Sequence, residues 1–103
     1  MDKVQIQWGD LARTEAIEND VWEKAEKILN FAPTATTLNI NLKIINPSNS
    51  AGISTQGVRM ELRLPNNQDV RVLKEGSDLY RTIKDAQQAI LTQVKSKKEK
   101  NLI

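Results

Sequence analysis

The sequence predicts an α+β fold: a β-α-β-β-β-α two-layer sandwich, with a four-stranded, mainly antiparallel sheet and two helices on one face. Three observations predict it. Four short stretches alternate apolar and polar residues, the period-two pattern of half-buried strands. Two longer stretches each carry one apolar stripe at helical spacing. Each of these six elements therefore has a single face to bury. Stacking both helices on one side of one sheet buries all six.

The first strand is residues 3–8, where Val4, Ile6 and Trp8 share a face and Gly9-Asp10 ends the run. The first helix is expected over 15–30. Thr14 stands at its N-cap, and Glu15 and Glu18 suit the positive end of the helix dipole. Ile17, Val21, Ala25, Ile28 and Leu29 form its stripe, with Trp22 on the flank. Pro33 forbids continuation. As the crossover between the first two strands, this helix makes them parallel, with a right-handed connection.

In residues 38–45, Leu38, Ile40, Leu42 and Ile44 face one way. Residues 47–57 are rich in Ser, Asn and Gly without a period, and are expected as a loop. Residues 58–64 alternate Val58, Met60, Leu62 and Leu64 with Arg59, Glu61 and Arg63. A turn at 65–68 leads to a return strand over 69–74, with Val70 and Val72 inward. The last helix starts at a Ser77 N-cap and runs to about residue 98. Its stripe is Leu79, Ile83, Ala86, Ile90 and Val94. The other face of the sheet is polar: Lys3, Gln5, Gln7, Asn39, Asn41 and Lys43, then Arg59, Glu61, Arg63 and Arg71.

Composition narrows the function. A length of 103 residues sets one domain, 1–103. The chain has no Cys and no His. Disulfide frameworks, the usual zinc sites and every Ser-His or Cys-His nucleophile are thereby excluded. The carboxylates are dispersed and no Gly-rich phosphate loop is present. No enzyme activity, catalytic residue, metal, cofactor or small-molecule substrate is expected. No apolar run approaches the roughly 20 residues of a membrane span, and the N-terminus lacks a signal-peptide pattern. A monomeric, cytoplasmic binding module without a membrane partner is the expectation.

The formal net charge of +2 hides an asymmetry. Residues 95–100 hold four lysines and one glutamate, while residues 14–30 hold five acidic and two basic residues. On the last helix Arg81, Lys84, Lys95 and Lys98 fall within an arc of roughly 100°, with Tyr80 and Leu91 at its edge. That arc reads either as a phosphate-tracking stripe or as a solvated face whose lysines suit the negative end of the dipole. Lys24 and Lys27 read either as phosphate contacts or as the i,i+4 pairs Asp20–Lys24 and Glu23–Lys27. Trp8 is expected to pack in the core, and Tyr80 at the core border with its hydroxyl hydrogen-bonded. Glu61 is placed to pair across strands with Arg71.

Three stretches resemble a known family: Thr14-Glu15-Ala16-Ile17; Lys24 and Lys27 before Ile28-Leu29; and Asp78-Leu79-Tyr80-Arg81-Thr82-Ile83. The last is similar to an Asp-x-Tyr-x-x-Ile signature, followed downstream by Gln93 and the lysine-rich end. With the element order, these resemble the ribosome hibernation promoting factor and ribosome-associated inhibitor family, also described as sigma-factor modulation proteins. The resemblance spans nearly the whole chain, in the family's short form. It differs at Lys84, where the signature continues with Asp, and at Ala89 and Thr92, which are basic in the family. The resemblance implies binding to rRNA of the small ribosomal subunit in the decoding channel, silencing translation under stress. The residues it and the charge pattern nominate are Lys24, Lys27, Arg81, Lys84, Lys95, Lys98 and Lys100. The alternative is a protein-interaction or regulatory module on the same fold, acting through the polar sheet face or the acidic first helix.

Overall fold

Strand alternation decides the layers. The computed structural model describes residues 3–46 and 55–102. Its elements are β1 (Val4–Gln7), α1 (Glu15–Phe31), β2 (Thr37–Asn46), β3 (Thr55–Arg63), β4 (Val70–Gly76) and α2 (Leu79–Glu99). The strands lie in the order β1-β2-β3-β4. β1 pairs in parallel with β2, and the other two pairings are antiparallel.

The registers Leu38–Leu62, Ile40–Met60 and Met60–Val72 put the alternating apolar residues of neighbouring strands side by side. Leu38, Ile40, Leu42, Val58, Met60, Leu62, Val70 and Val72 are buried on that face. Val21, Ala25 and Ile28 of α1 and Ile83, Ala86, Ile90 and Val94 of α2 cover it. Each large side chain so buried contributes about 1.5–3 kcal/mol. Leu29 and Leu79, expected in the stripes, are only partly buried.

Several boundaries differ from the sequence expectation. Thr55–Gly57, expected as the end of a loop, are strand: Gly57 pairs with Lys43 and Gln56 with Ile44, so the backbone ladder overrides polar side chains. The rest of that expected loop, 47–54, lies outside the described residues. β4 continues to Gly76, which moves the helix start: Asp78, not Ser77, is the N-cap, its Oδ1 accepting from the Arg81 N–H at 3.3 Å. Leu64 is buried but outside the strand, and its N–H donates to Asp69 Oδ1 at 3.1 Å. Between them, Asn66 and Asn67 both take positive φ, which Asn tolerates better than other non-glycine residues.

The β1–α1 corner depends on Gly9. Its φ is +57°, and a Cβ there would lie 2.6 Å from the Leu42 carbonyl oxygen. Trp8 is half-buried against the core, and the Arg13 guanidinium lies 5.4 Å from its ring centroid. Arg13 also donates two hydrogen bonds, of 3.0 and 2.9 Å, to the Glu18 carboxylate. Those bonds hold the Glu18 carboxyl below its ordinary pKa and the Arg13 guanidinium above its own.

Candidate nucleic-acid interface

A crossover helix and a following helix on the same sheet face must run side by side. α1 and α2 do so, and in the same direction. Near their starts, Asp20 and Lys24 of α1 line a groove with Tyr80, Arg81, Lys84 and Asp85 of α2. Midway, the buried Gln87 donates from Nε2 to the Lys24 carbonyl at 3.4 Å. Near their ends, Lys98 Nζ lies 4.1 Å from the centroid of the Phe31 ring. The groove brings together candidate cations more than fifty residues apart in sequence, Lys24 with Arg81 and Lys84.

These cations are not equivalent. Lys24 is bound to Asp20 at 3.0 Å, approaches Glu23 at 3.9 Å, and its side chain is only 14% exposed. Asp20 Oδ2 is buried and has no partner among the described residues. Lys24 therefore serves first as the counter-charge of Asp20. The pair Asp20–Lys24 forms as its spacing predicts, whereas Glu23 turns to Lys24 and not to Lys27. Lys27, Arg81, Lys84, Lys95, Lys98 and Lys100 are exposed and make no ion pair among the described residues. Unpaired positive charge thus concentrates along α2. On α1 it is interrupted by Asp20 and Glu23.

Lys97 points to the other side of α2, donating to Gln68 Oε1 at 3.0 Å in the hairpin turn. Lys100 follows the last turn of α2 as its C-cap.

Tyr80 departs from its expected role. It is 48% exposed, and its hydroxyl has no hydrogen-bond partner among the described residues. Phe31, not singled out from the sequence, is 36% exposed beside Lys98. The signal was available: on a helix Phe31 shares the face of Lys24 and Lys27.

The open sheet face is held by its own charges. Glu61 forms ion pairs with Arg71 Nε at 2.7 Å and with Arg63 at 3.3 Å. Asn41 donates to Gln7 at 3.0 Å. Ile45 and Leu73 are exposed on this face, the latter where alternation from Val70 and Val72 requires it. Among the described residues no cluster of Asp and Glu could hold a metal, and no helix is long and apolar enough to cross a membrane.

The comparisons with known proteins agree with this architecture. No curated protein matches the chain significantly by sequence. A ribosomal subunit interface protein from Coxiella burnetii has the same fold, with a TM-score of 0.74 at 16% identity, covering 93% of this chain and 97% of the other. The N-terminal domain of Thermus thermophilus Protein Y superposes with a TM-score of 0.68 at 24% identity, covering 91% of this chain and 97% of that one. The family model for sigma 54 modulation protein / S30EA ribosomal protein matches residues 4–101. The β-α-β-β-β-α order, the paired helices and this match over nearly the whole length agree, and the chain belongs to the sigma 54 modulation / S30EA ribosomal protein family.

Proposed function

We propose that the protein binds the small ribosomal subunit and silences it, occupying the decoding channel through contacts to rRNA phosphates. The observation that carries this reading is the run of exposed cations along α2 that make no ion pair among the described residues, in a chain of a ribosome-associated family. Arg81, Lys84, Lys95 and Lys98 follow one face of α2, with Lys27 exposed on α1 and Lys100 at the helix end. Lys24 contributes through its position between Asp20 and the groove. Each cation that meets a phosphate releases condensed counterions, so affinity comes from charge and shape and requires no bond-making chemistry. The chain acts in the cytoplasm as a monomer, as one unit over 1–103, and without a cofactor.

Co-sedimentation with purified small subunits over a salt series tests this. Binding is expected to be tightest at low salt and to fall steeply as salt rises. Absence of binding at low salt would overturn the reading.

One observation favours a second reading, a protein partner on the open sheet face: Ile45 and Leu73 are exposed there beside Lys43 and Arg59. It predicts a partner retained after nuclease treatment and lost in Leu73→Lys.

A further inference from the structure

The chain has four aromatic side chains, two Trp, one Tyr and one Phe, and three are already engaged. Trp8 packs against the core under Arg13, Trp22 packs against the core, and Phe31 lies against Lys98. Tyr80 differs from all three. No cation of the described residues covers its ring, its hydroxyl bonds to no described residue, and about half of its surface is open. It also borders the groove of about 510 Å³ between the helices, within the size range of small-ligand clefts.

The neighbours of Tyr80 decide what that ring faces. Lys84 lies one turn along α2 on the same side, and Arg81 is adjacent. Both are exposed and without an ion pair among the described residues. An open aromatic ring beside two free cations, in a groove that also carries Asp20 and Asp85, offers what a single-stranded nucleic acid requires: a π-face for a base and positive charge for a neighbouring phosphate. A duplex offers no such match, because its base faces are already stacked on one another.

Resting on the RNA-binding reading above, we infer that Tyr80 is a stacking platform for an unpaired RNA base, with Arg81 and Lys84 holding the adjoining phosphate. The helix-pair surface therefore selects single-stranded or looped RNA over duplex. The stacking contact is sequence-tolerant, because every base presents a π-face.

Fluorescence anisotropy with the full chain tests this, using short labelled oligoadenosine, an RNA duplex of equal length, and purified small subunits in competition. The wild type is expected to prefer the single strand. Tyr80→Ala should weaken binding about tenfold while leaving its salt slope unchanged, and Tyr80→Phe should bind like the wild type. Lys84→Ala should instead lower the salt slope by about one. Thermal unfolding of each variant checks that the fold is intact. If Tyr80→Ala binds as tightly as the wild type while Lys84→Ala is weakened, the stacking inference falls and the phosphate interface stands. If the wild type binds neither oligoadenosine nor small subunits, both fall together.

Discussion

Lys98 Nζ sits 4.1 Å from the centroid of the Phe31 ring, joining the last turn of α2 to the last turn of α1. The contact fixes one lysine of the basic end against the helix pair. Partly exposed cation–π contacts of this kind contribute about 0.5–1 kcal/mol. A double-mutant cycle of Phe31→Leu and Lys98→Met in urea unfolding should return a coupling of that size. A coupling of zero would mean that Lys98 is held by the helix alone.

The Asp20–Lys24 pair predicts an unequal effect of two lysine substitutions. Lys24→Met leaves a largely buried carboxylate without its cation, and should destabilise the fold by about 1–3 kcal/mol. Asp20→Asn in the same chain should recover most of that loss. Lys84→Met, at an exposed and unpaired position, should leave the unfolding midpoint nearly unchanged while weakening binding to small subunits.

The helix cap is read directly by alanine substitution. Asp78→Ala removes the acceptor of the Arg81 N–H and should cost about 1 kcal/mol. Ser77→Ala should stay within about 0.5 kcal/mol, as for a surface position without a special role. Equal losses at the two positions would contradict the cap seen here.

Gly9→Ala meets two penalties together, a positive φ and a carbonyl oxygen in the space of its Cβ. A loss of about 1–3 kcal/mol in denaturant unfolding is expected. The β1–α1 corner should also show faster amide exchange than in the wild type.

The Arg13–Glu18 pair gives a pH dependence. Glu18 is held below its ordinary pKa in the folded protein first by the hydrogen bond from Arg13; desolvation opposes this, and the positive charge of Arg13 adds to it. The unfolded state therefore binds the proton more readily. The stabilisation is complete above the unfolded carboxyl pKa, near pH 4.3, and is lost as pH falls through the lower folded value. The stability difference between wild type and Glu18→Gln should shrink over that acid range. Its size at neutral pH should be small, because the pair is solvent-exposed.

Much of this molecule is legible in single residues of its sequence. Alternation at Val58, Met60, Leu62 and at Leu38, Ile40, Leu42 specifies both strands and their buried face, because a strand's side chains change sides at every step. The stripes Val21, Ala25, Ile28 and Ile83, Ala86, Ile90, Val94 specify the helices and the side that packs. Glu61 is legible as a cross-strand partner of Arg71 for the same reason. The boundaries are less so. Thr55–Gly57 are strand because β2 offers them backbone partners, and Asp78 caps α2 because β4 extends two residues beyond the expected strand.

The sequence by itself determined the element order, the two layers and the list of candidate cations. These follow from local periodicity and residue chemistry, which each segment carries alone. Only the tertiary structure decided which cations are free and which aromatic ring is open. Lys24 and Lys84 are both lysines on helix flanks, yet one is closed by Asp20 and the other has no ion pair among the described residues. Tyr80 and Phe31 are both aromatics at a helix border, yet Lys98, from the far end of the other helix, covers only the second. Such differences depend on how two distant helices are set side by side by the sheet beneath them, and no segment's own pattern contains that distance.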